Sequence, residues 1–142
     1  MDTRTDLTPG DDLAGYLTSY AQEMAFGAEE PETILDRYHT PDFVLHNDGL
    51  PLDRQRLLDH VRPVRKQVRR GKITDCRVDV HQTLVAGAQV AGRYTLTAVL
   101  GGKATVTEIY MFGELAPDGR LRRIDQVTRV PGTQQAEAAR LS

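Results

Sequence analysis

The sequence predicts an α+β fold in which helices cover one face of a single curved antiparallel sheet. The first observation is a stretch rich in β-branched and aromatic residues near the end of the chain, residues 105–129, with turn residues at 117–119. This stretch predicts a long hairpin built from strands 105–115 and 120–130. The second observation is that three amphipathic segments precede the hairpin, and a hairpin of this length needs such a cover.

Length and composition limit the class of protein. At 142 residues the chain suits one domain with a hydrophobic core. The formal net charge of −2 argues against a nucleic-acid-binding protein. The single cysteine, Cys76, cannot form an internal disulfide, which fits a reducing cytoplasm. Because the sequence has neither an apolar leader core nor an apolar run long enough to cross a bilayer, we expect a soluble cytoplasmic protein without a membrane partner.

Two segments near the start have apolar residues at helical spacing. The first is capped by Asp11 or Asp12 and ends near Gly27. The second has Pro31 in its first turn, where proline is tolerated, and ends before Pro41. The apolar positions are Leu13, Tyr16, Leu17, Tyr20 and Met24 in the first helix, and Ile34, Leu35 and Tyr38 in the second.

A strand and a third helix follow. Residues 42–48 are typical of a strand, in which alternation puts Phe43, Leu45 and Asn47 on one face and Val44, His46 and Asp48 on the other. The helix starts at Asp53 and stops at Gly71, and Pro63 should kink it or divide it in two. Its apolar positions are Leu57, Leu58, Val61, Val64 and Val68.

From residue 73 onward the pattern is that of strands. We expect strands at 73–85 and 89–100, followed by the closing hairpin, with glycine-containing turns at 86–87 and 101–102. The predicted element order is α-α-β-α-β-β-β-β. Because residues 1–10 and 131–142 have few apolar groups to bury, we expect a flexible N-terminus and a flexible C-terminal tail around one domain at 11–130.

Two short motifs and the element order carry a family resemblance. The motifs are YHTPDFVLHN at residues 38–47 and DGRL at 118–121, which opens the last strand. Together they resemble the nuclear transport factor 2-like superfamily, and within it the SnoaL-like polyketide cyclase and ketosteroid isomerase branch, over residues 13–129. This resemblance implies a cone-shaped sheet wrapped around the helices, with a deep and mostly apolar pocket, commonly in a homodimer.

The resemblance also implies a chemistry. Enzymes of this kind use acid-base catalysis on hydrophobic, carbonyl-bearing small molecules, without a metal or an organic cofactor, because an apolar cavity tunes the pKa of a few polar groups. The sequence agrees in part, since His39, His60 and His81 are dispersed and lack the spacing of a metal site. The basic run at residues 62–72 lies on the polar side of its helix and is interpreted as a solvated face.

Three residues are candidates for catalysis. Asp125 lies on the last strand, where relatives in this superfamily place a catalytic carboxylate, although Arg123 and Arg129 on the same face favour an ion pair. Asn47 stands where the isomerases carry their general base. An amide cannot abstract a proton, but it can hold an enolate oxygen or bond the turn that follows. His46 can act as an acid or a base, but alternation directs it away from Asn47 and favours a structural role.

Five residues are candidates for binding the substrate. Glu108 and Tyr110 share a face, with Tyr94 expected on the neighbouring strand, and a buried glutamate there would have a raised pKa suited to a general acid. That face ends in charge, which equally favours contact with solvent or a partner subunit. Tyr16 and Tyr20 resemble the place where isomerases present a hydroxyl, with a core role as the alternative, and Tyr20 is preferred because it is nearer the middle of the helix. Arg129, if it faces the cavity, would bind a carboxylate or enolate.

Three functions remain open. The favoured one is a cofactor-independent cyclase or isomerase acting on a polyketide-like molecule, and the second is a non-catalytic ligand-binding or dimerisation domain. The third is an epoxide-opening hydrolase, which needs a second pocket carboxylate where Arg129 stands. The number of carboxylates that face the cavity discriminates among these functions. Two carboxylates with an arginine favour epoxide opening, one carboxylate favours a cyclase or isomerase, and none favours binding.

Overall fold

The computed structural model describes residues 7–131, which contain three helices and six strands. The helices are α1 (Leu13–Phe26), α2 (Pro31–Tyr38) and α3 (Arg54–Arg69). The strands are β1 (His39–Asn47), β2 (Leu50–Leu52), β3 (Ile73–Ala86), β4 (Gln89–Leu100), β5 (Lys103–Leu115) and β6 (Leu121–Arg129). The predicted element order is confirmed, with the short strand β2 added between β1 and α3.

The six strands form one curved, open sheet in the order β2-β1-β6-β5-β4-β3. Successive strands from β3 to β6 pair antiparallel, as predicted, because each is joined to the next by a short turn. In contrast, β1 lies parallel to β6, so the sheet is mixed rather than wholly antiparallel. The pattern within β1 does not encode this pairing, since its partner lies about 80 residues later in the chain.

Alternation along the strands separates an inner face, which packs on the helices, from an outer face. On β5, Ile109 and Met111 face inward and are 5% and 1% exposed, whereas Phe112 faces outward and is 69% exposed. The predicted apolar stripes of the helices form the other half of the core. Its helical members are Leu13, Tyr16, Leu17, Met24, Ile34, Leu35, Tyr38, Leu57 and Leu58.

Side chains at the helix ends fix α1 and α3 in place. Asp12 caps α1 and Asp53 caps α3, each accepting a backbone N–H at 2.9 Å. Arg65 of α3 donates to the carbonyl of Met24 at 2.9 Å, at the C-terminal end of α1. This bond satisfies a carbonyl that the helix leaves without a partner, and it joins the two helices.

Pro63 does not divide the third helix, which runs unbroken from Arg54 to Arg69. The proline lies on the exposed side of α3, where water can bond the carbonyl that loses its helical partner.

At the N-terminal side of the described range, the N–H of Gly10 donates to the carbonyl of Gly119 at 3.0 Å, which places residues 8–10 against the turn between β5 and β6. The rest of the two predicted flexible ends, residues 1–6 and 132–142, lies outside the described residues. No helix in the described range is long and apolar enough to span a membrane.

Candidate functional site

A cavity of about 290 Å³ lies between the inner face of the sheet and helices α1 and α3. This volume is at the lower end of the range for sites that bind small organic molecules. Most of the wall is apolar, and the polar side chains are few. The lining consists of Leu17, Ala21, Met24, Phe43, Leu45, Leu57, Val61, Val78, Leu96, Ile109, Met111 and Ile124, together with the polar residues Tyr16, Tyr20, His39, His60, Tyr94 and Gln126.

No aspartate, glutamate, lysine or arginine lines this cavity within residues 7–131. A charged ligand would therefore lose its hydration without gaining a partner of opposite charge, which is costly in an apolar site. The cavity suits a neutral molecule. The same range also contains no group of three His, Cys, Asp or Glu side chains placed to share a metal ion.

Tyr16 and His39 form a buried hydrogen-bonded pair in the cavity wall. The Tyr16 oxygen lies 2.7 Å from His39 Nε2, and His39 Nδ1 lies 2.8 Å from the carbonyl oxygen of Leu35. A carbonyl can only accept, so Nδ1 carries the proton and Nε2 of the neutral ring accepts from the Tyr16 hydroxyl. Burial lowers the pKa of His39 to about 4, and the charge of Arg120 acts in the same direction. The imidazole is therefore neutral near pH 7.

Tyr20 and Tyr94 present two further hydroxyls to the cavity. Both side chains are partly accessible, and neither hydroxyl has a hydrogen-bond partner among residues 7–131. Burial raises the pKa of each phenol. Because both phenols stay protonated at neutral pH, each can donate a hydrogen bond to a ligand.

Two further polar side chains line the cavity, His60 from α3 and Gln126 from β6. His60 is exposed on α3. Gln126 Nε2 donates to Asn47 Oδ1 at 3.0 Å, across the pair of strands β1 and β6. The structure therefore places Asn47 on the inner side of β1, next to a cavity residue, with its amide oxygen bonded to Gln126.

Asp125 and His46 lie on the outer face of the sheet, which corrects the candidate catalytic role of Asp125 and agrees with the alternative, an ion pair with arginine. Arg123 donates to the two Asp125 carboxylate oxygens at 2.9 and 3.2 Å, and these hydrogen bonds hold the pKa of Asp125 below its usual value. His46 Nδ1 is 3.5 Å from the same carboxylate. The physical reason is alternation: Ile124 occupies an inner position of β6, so the next side chain points outward.

Glu108, Tyr110 and Arg129 also lie on the outer face, away from the cavity. Arg129 Nε is 2.8 Å from Glu108 Oε2, so these two residues form a surface ion pair. Tyr94 does not share their face as expected, because it pairs in register with the inward-facing Ile109. Of the eight candidate residues, the structure brings only Tyr20 and Tyr94 into the cavity wall and Asn47 next to it.

Three residues line the cavity that were not predicted from the sequence: His39, His60 and Gln126. His39 and His60 stand on different elements and converge only in the folded chain, so no spacing between them could signal the site. Gln126 could have been predicted from the sequence, because it is two residues from the apolar Ile124 and therefore lies on the same face of the strand. His39 was placed before the first strand, whereas β1 begins at His39 itself.

Comparison with known proteins supplies a family and a set of structural neighbours. The SnoaL-like domain family matches residues 17–124 of the chain. IdmH from Streptomyces antibioticus, a candidate polyketide cyclase, is 18% identical with a TM-score of 0.60, covering 94% of this chain and 97% of IdmH. AclR from Streptomyces galilaeus, a candidate hydroxylase, is 16% identical with a TM-score of 0.59, covering 87% of this chain and 96% of AclR.

A designed protein shares the same architecture. This de novo protein with the nuclear transport factor 2 fold is 18% identical with a TM-score of 0.52, covering 87% of this chain and 86% of the design. No curated protein sequence matches the chain. At such low identities, the similarity to solved structures shows a common fold, which hosts many functions.

Proposed function

Because the chain belongs to the SnoaL-like domain family, we propose that it is a cofactor-independent enzyme of the cyclase or isomerase kind, acting on a mostly apolar, carbonyl-bearing molecule. The observation that carries this proposal is the pair of hydroxyls of Tyr20 and Tyr94 in an apolar, uncharged cavity, both without a hydrogen-bond partner among residues 7–131. IdmH, a candidate polyketide cyclase with the same fold, supports a polyketide-like substrate.

The proposed chemistry starts with a carbonyl oxygen held between the two hydroxyls. When the substrate loses a proton from the carbon next to the carbonyl, negative charge develops on that oxygen. Hydrogen bonds from Tyr20 and Tyr94 stabilise this charge more than they stabilise the neutral carbonyl, and the apolar wall strengthens the effect. Cyclisation of the aldol type, isomerisation and dehydration all pass through such an enolate.

His60 is the proposed proton acceptor. Both ring nitrogens of His39 are engaged, one by Tyr16 and the other by the Leu35 carbonyl, so that ring has no free basic nitrogen. His60 is the other imidazole in the described lining, and its exposure on α3 lets it exchange the proton with solvent.

A specific observation favours a second candidate function, a non-catalytic ligand-binding domain. No carboxylate lines the cavity within residues 7–131, which favours binding by the criterion drawn from the sequence, and the same two tyrosines would hold a carbonyl without any proton transfer. The proposal of an enzyme therefore depends on His60, an imidazole in place of a carboxylate, as the proton acceptor. Epoxide opening is not supported, because it needs two carboxylates in the cavity and no carboxylate lines the cavity within residues 7–131.

A homodimer is part of the proposal, with the outer face of the sheet as the contact. The row Leu84, Ala91 and Phe112 crosses β3, β4 and β5, and Val127 on β6 extends the patch. Phe112, Leu84 and Val127 are 69%, 61% and 58% exposed, and adjacent exposed apolar side chains of this size are typical of an interface. A second copy presents the same patch about a twofold axis, which makes the contact self-complementary.

A binding experiment tests the two hydroxyl donors. Titration calorimetry with 1-tetralone, a neutral bicyclic ketone, should show that Tyr20→Phe and Tyr94→Phe each weaken affinity roughly fivefold, the worth of one hydrogen bond. Tyr110→Phe is the matched control, because Tyr110 lies on the outer face and its change should leave affinity as in the wild type. Equal affinity for all four proteins would contradict the proposal.

A second experiment separates the enzyme from the binding domain. In D₂O, the wild-type protein should exchange the α-protons of bound 1-tetralone, followed by NMR, and His60→Gln should abolish the exchange while the ketone still binds. Asp125→Asn serves as the control and should exchange at the wild-type rate, because its carboxylate faces outward. Binding without exchange in the wild type would favour the non-catalytic function.

A further inference from the structure

The hydrogen bond between Tyr16 and His39 decides whether a third hydroxyl in the cavity wall, that of Tyr16, donates to a ligand or accepts from it. We infer that Tyr16 accepts a hydrogen bond from the ligand, so that the molecule whose carbonyl is held by Tyr20 and Tyr94 also carries a hydroxyl or N–H group. The inference rests on the proposed function and deepens it, because it narrows the ligand from a neutral ketone to a neutral hydroxyketone or its N–H counterpart.

The proton of the neutral His39 ring is on Nδ1. Its Nδ1 lies 2.8 Å from the Leu35 carbonyl oxygen, which has no hydrogen to give, so Nδ1 is the donor. Nε2 is then the unprotonated nitrogen, and the Tyr16 hydroxyl at 2.7 Å must donate to it. Burial of the ring keeps His39 neutral near pH 7 and so preserves this direction.

The bond to His39 uses the only hydrogen that the Tyr16 hydroxyl can donate. A phenol has one hydrogen to donate, and its oxygen can still accept. The single hydrogen of Tyr16 is committed to His39, so towards the cavity its oxygen acts as an acceptor. Tyr16 is 6% exposed and borders an apolar cavity, and a ligand donor at this oxygen forms a bond that a ligand ether or alkyl group cannot form.

Tyr16, Tyr20 and Tyr94 line the same cavity. The rings of Tyr16 and Tyr20 stack with centroids 5.4 Å apart. A bicyclic ligand can therefore meet two donors with its carbonyl and one acceptor with its hydroxyl.

Matched ligands test the inference. The probes are the hydroxy-1-tetralone isomers, their methyl ethers and 1-tetralone itself, each titrated into wild-type protein, Tyr16→Phe and the control Tyr110→Phe. At least one hydroxy isomer should bind the wild type and the control roughly fivefold more tightly than its methyl ether, and this preference should vanish in Tyr16→Phe. Affinity for 1-tetralone should change little in Tyr16→Phe, because that ketone has no donor for Tyr16.

The outcomes distinguish this inference from the proposed function. Ketone binding without any preference for a hydroxyl, or a preference that survives in Tyr16→Phe, overturns the inference and leaves the proposed function standing. Failure of every ketone to bind the wild type overturns both.

A ligand-free measurement tests the premise even where Tyr16→Phe fails to fold. In the ¹⁵N NMR spectrum of histidine-labelled wild-type protein near neutral pH, His39 should show a protonated Nδ1 and an unprotonated Nε2, with the assignment taken from the loss of these signals in His39→Gln. A protonated Nε2 would mean that His39 donates to Tyr16, which frees the Tyr16 hydrogen for the ligand and overturns the inference.

Discussion

Burial sets the protonation state of His39, and this has a consequence for stability. The pKa of His39 is about 4 in the folded chain, against an ordinary value of about 6.5, because the buried ring cannot hydrate its charged form. Between these two values the unfolded chain binds the proton and the folded chain does not. Stability contributed by neutral His39 is therefore full above about pH 6.5 and is lost as the pH falls towards 4.

We predict that the free energy of unfolding falls by about 2 to 3 kcal/mol through this histidine between about pH 7 and about pH 4.5. Urea unfolding of wild-type protein and His39→Gln at both pH values measures the difference. The variant is expected to be less stable at neutral pH, where it loses the paired imidazole, but to depend less on pH. A variant with the same pH dependence as the wild type would show that His39 is not the titrating group.

At the scale of the element, a glycine lets β5 pass close to its neighbours. A Cβ added at Gly113 would lie 2.9 Å from a methyl carbon of Leu121 and 2.9 Å from one of Val90, and both of these neighbours are buried. Gly113→Ala should therefore lower the free energy of unfolding by about 2 kcal/mol through overpacking. Thr105→Ala, at an exposed position of the same strand, is the control and should change stability much less. A Gly113→Ala protein as stable as the control would contradict this packing.

The same strand shows why elements could be predicted from the sequence while the faces of some strands could not. Helical stripes and strand lengths follow from local periodicity, and they match the structure closely. Residues 109–112, in contrast, are all apolar or aromatic, so alternation alone does not say which side is buried. The structure buries Ile109 and Met111 and exposes Phe112, which reverses the face assigned to Glu108 and Tyr110.

On the scale of the whole molecule, the outer face of the sheet is the site of a predicted association. Phe112→Lys should shift the protein from dimer to monomer in size-exclusion chromatography with light scattering, because it puts a charge in the centre of the patch formed by Leu84, Ala91, Phe112 and Val127. Leu100→Lys is the matched control, since Leu100 is 52% exposed at the end of β4, outside that patch. A wild-type monomer, or a Phe112→Lys dimer, would contradict this interface.

The candidate site depends on long-range assembly, which limits what the sequence could predict. The sequence placed Phe43, Leu45 and Asn47 on one face of β1, and the structure directs Phe43 and Leu45 into the cavity and Asn47 next to it. The pairing of β1 with β6 and the convergence of His39 with Tyr16 join parts of the chain that no local pattern connects. The family resemblance therefore implied an apolar pocket, but the residues that form its wall became visible only in the fold.

The central claim is that Tyr20 and Tyr94 hold the carbonyl oxygen of a neutral ligand, and the infrared stretch of that carbonyl measures it most directly. With ¹³C-labelled 1-tetralone bound to the wild type, the stretch should lie at lower frequency than in an alkane solvent, because two hydrogen bonds weaken the C=O bond. Tyr20→Phe and Tyr94→Phe should each move it part of the way back, and Tyr110→Phe should not. A bound carbonyl that absorbs as it does in alkane, in all four proteins, would contradict the account.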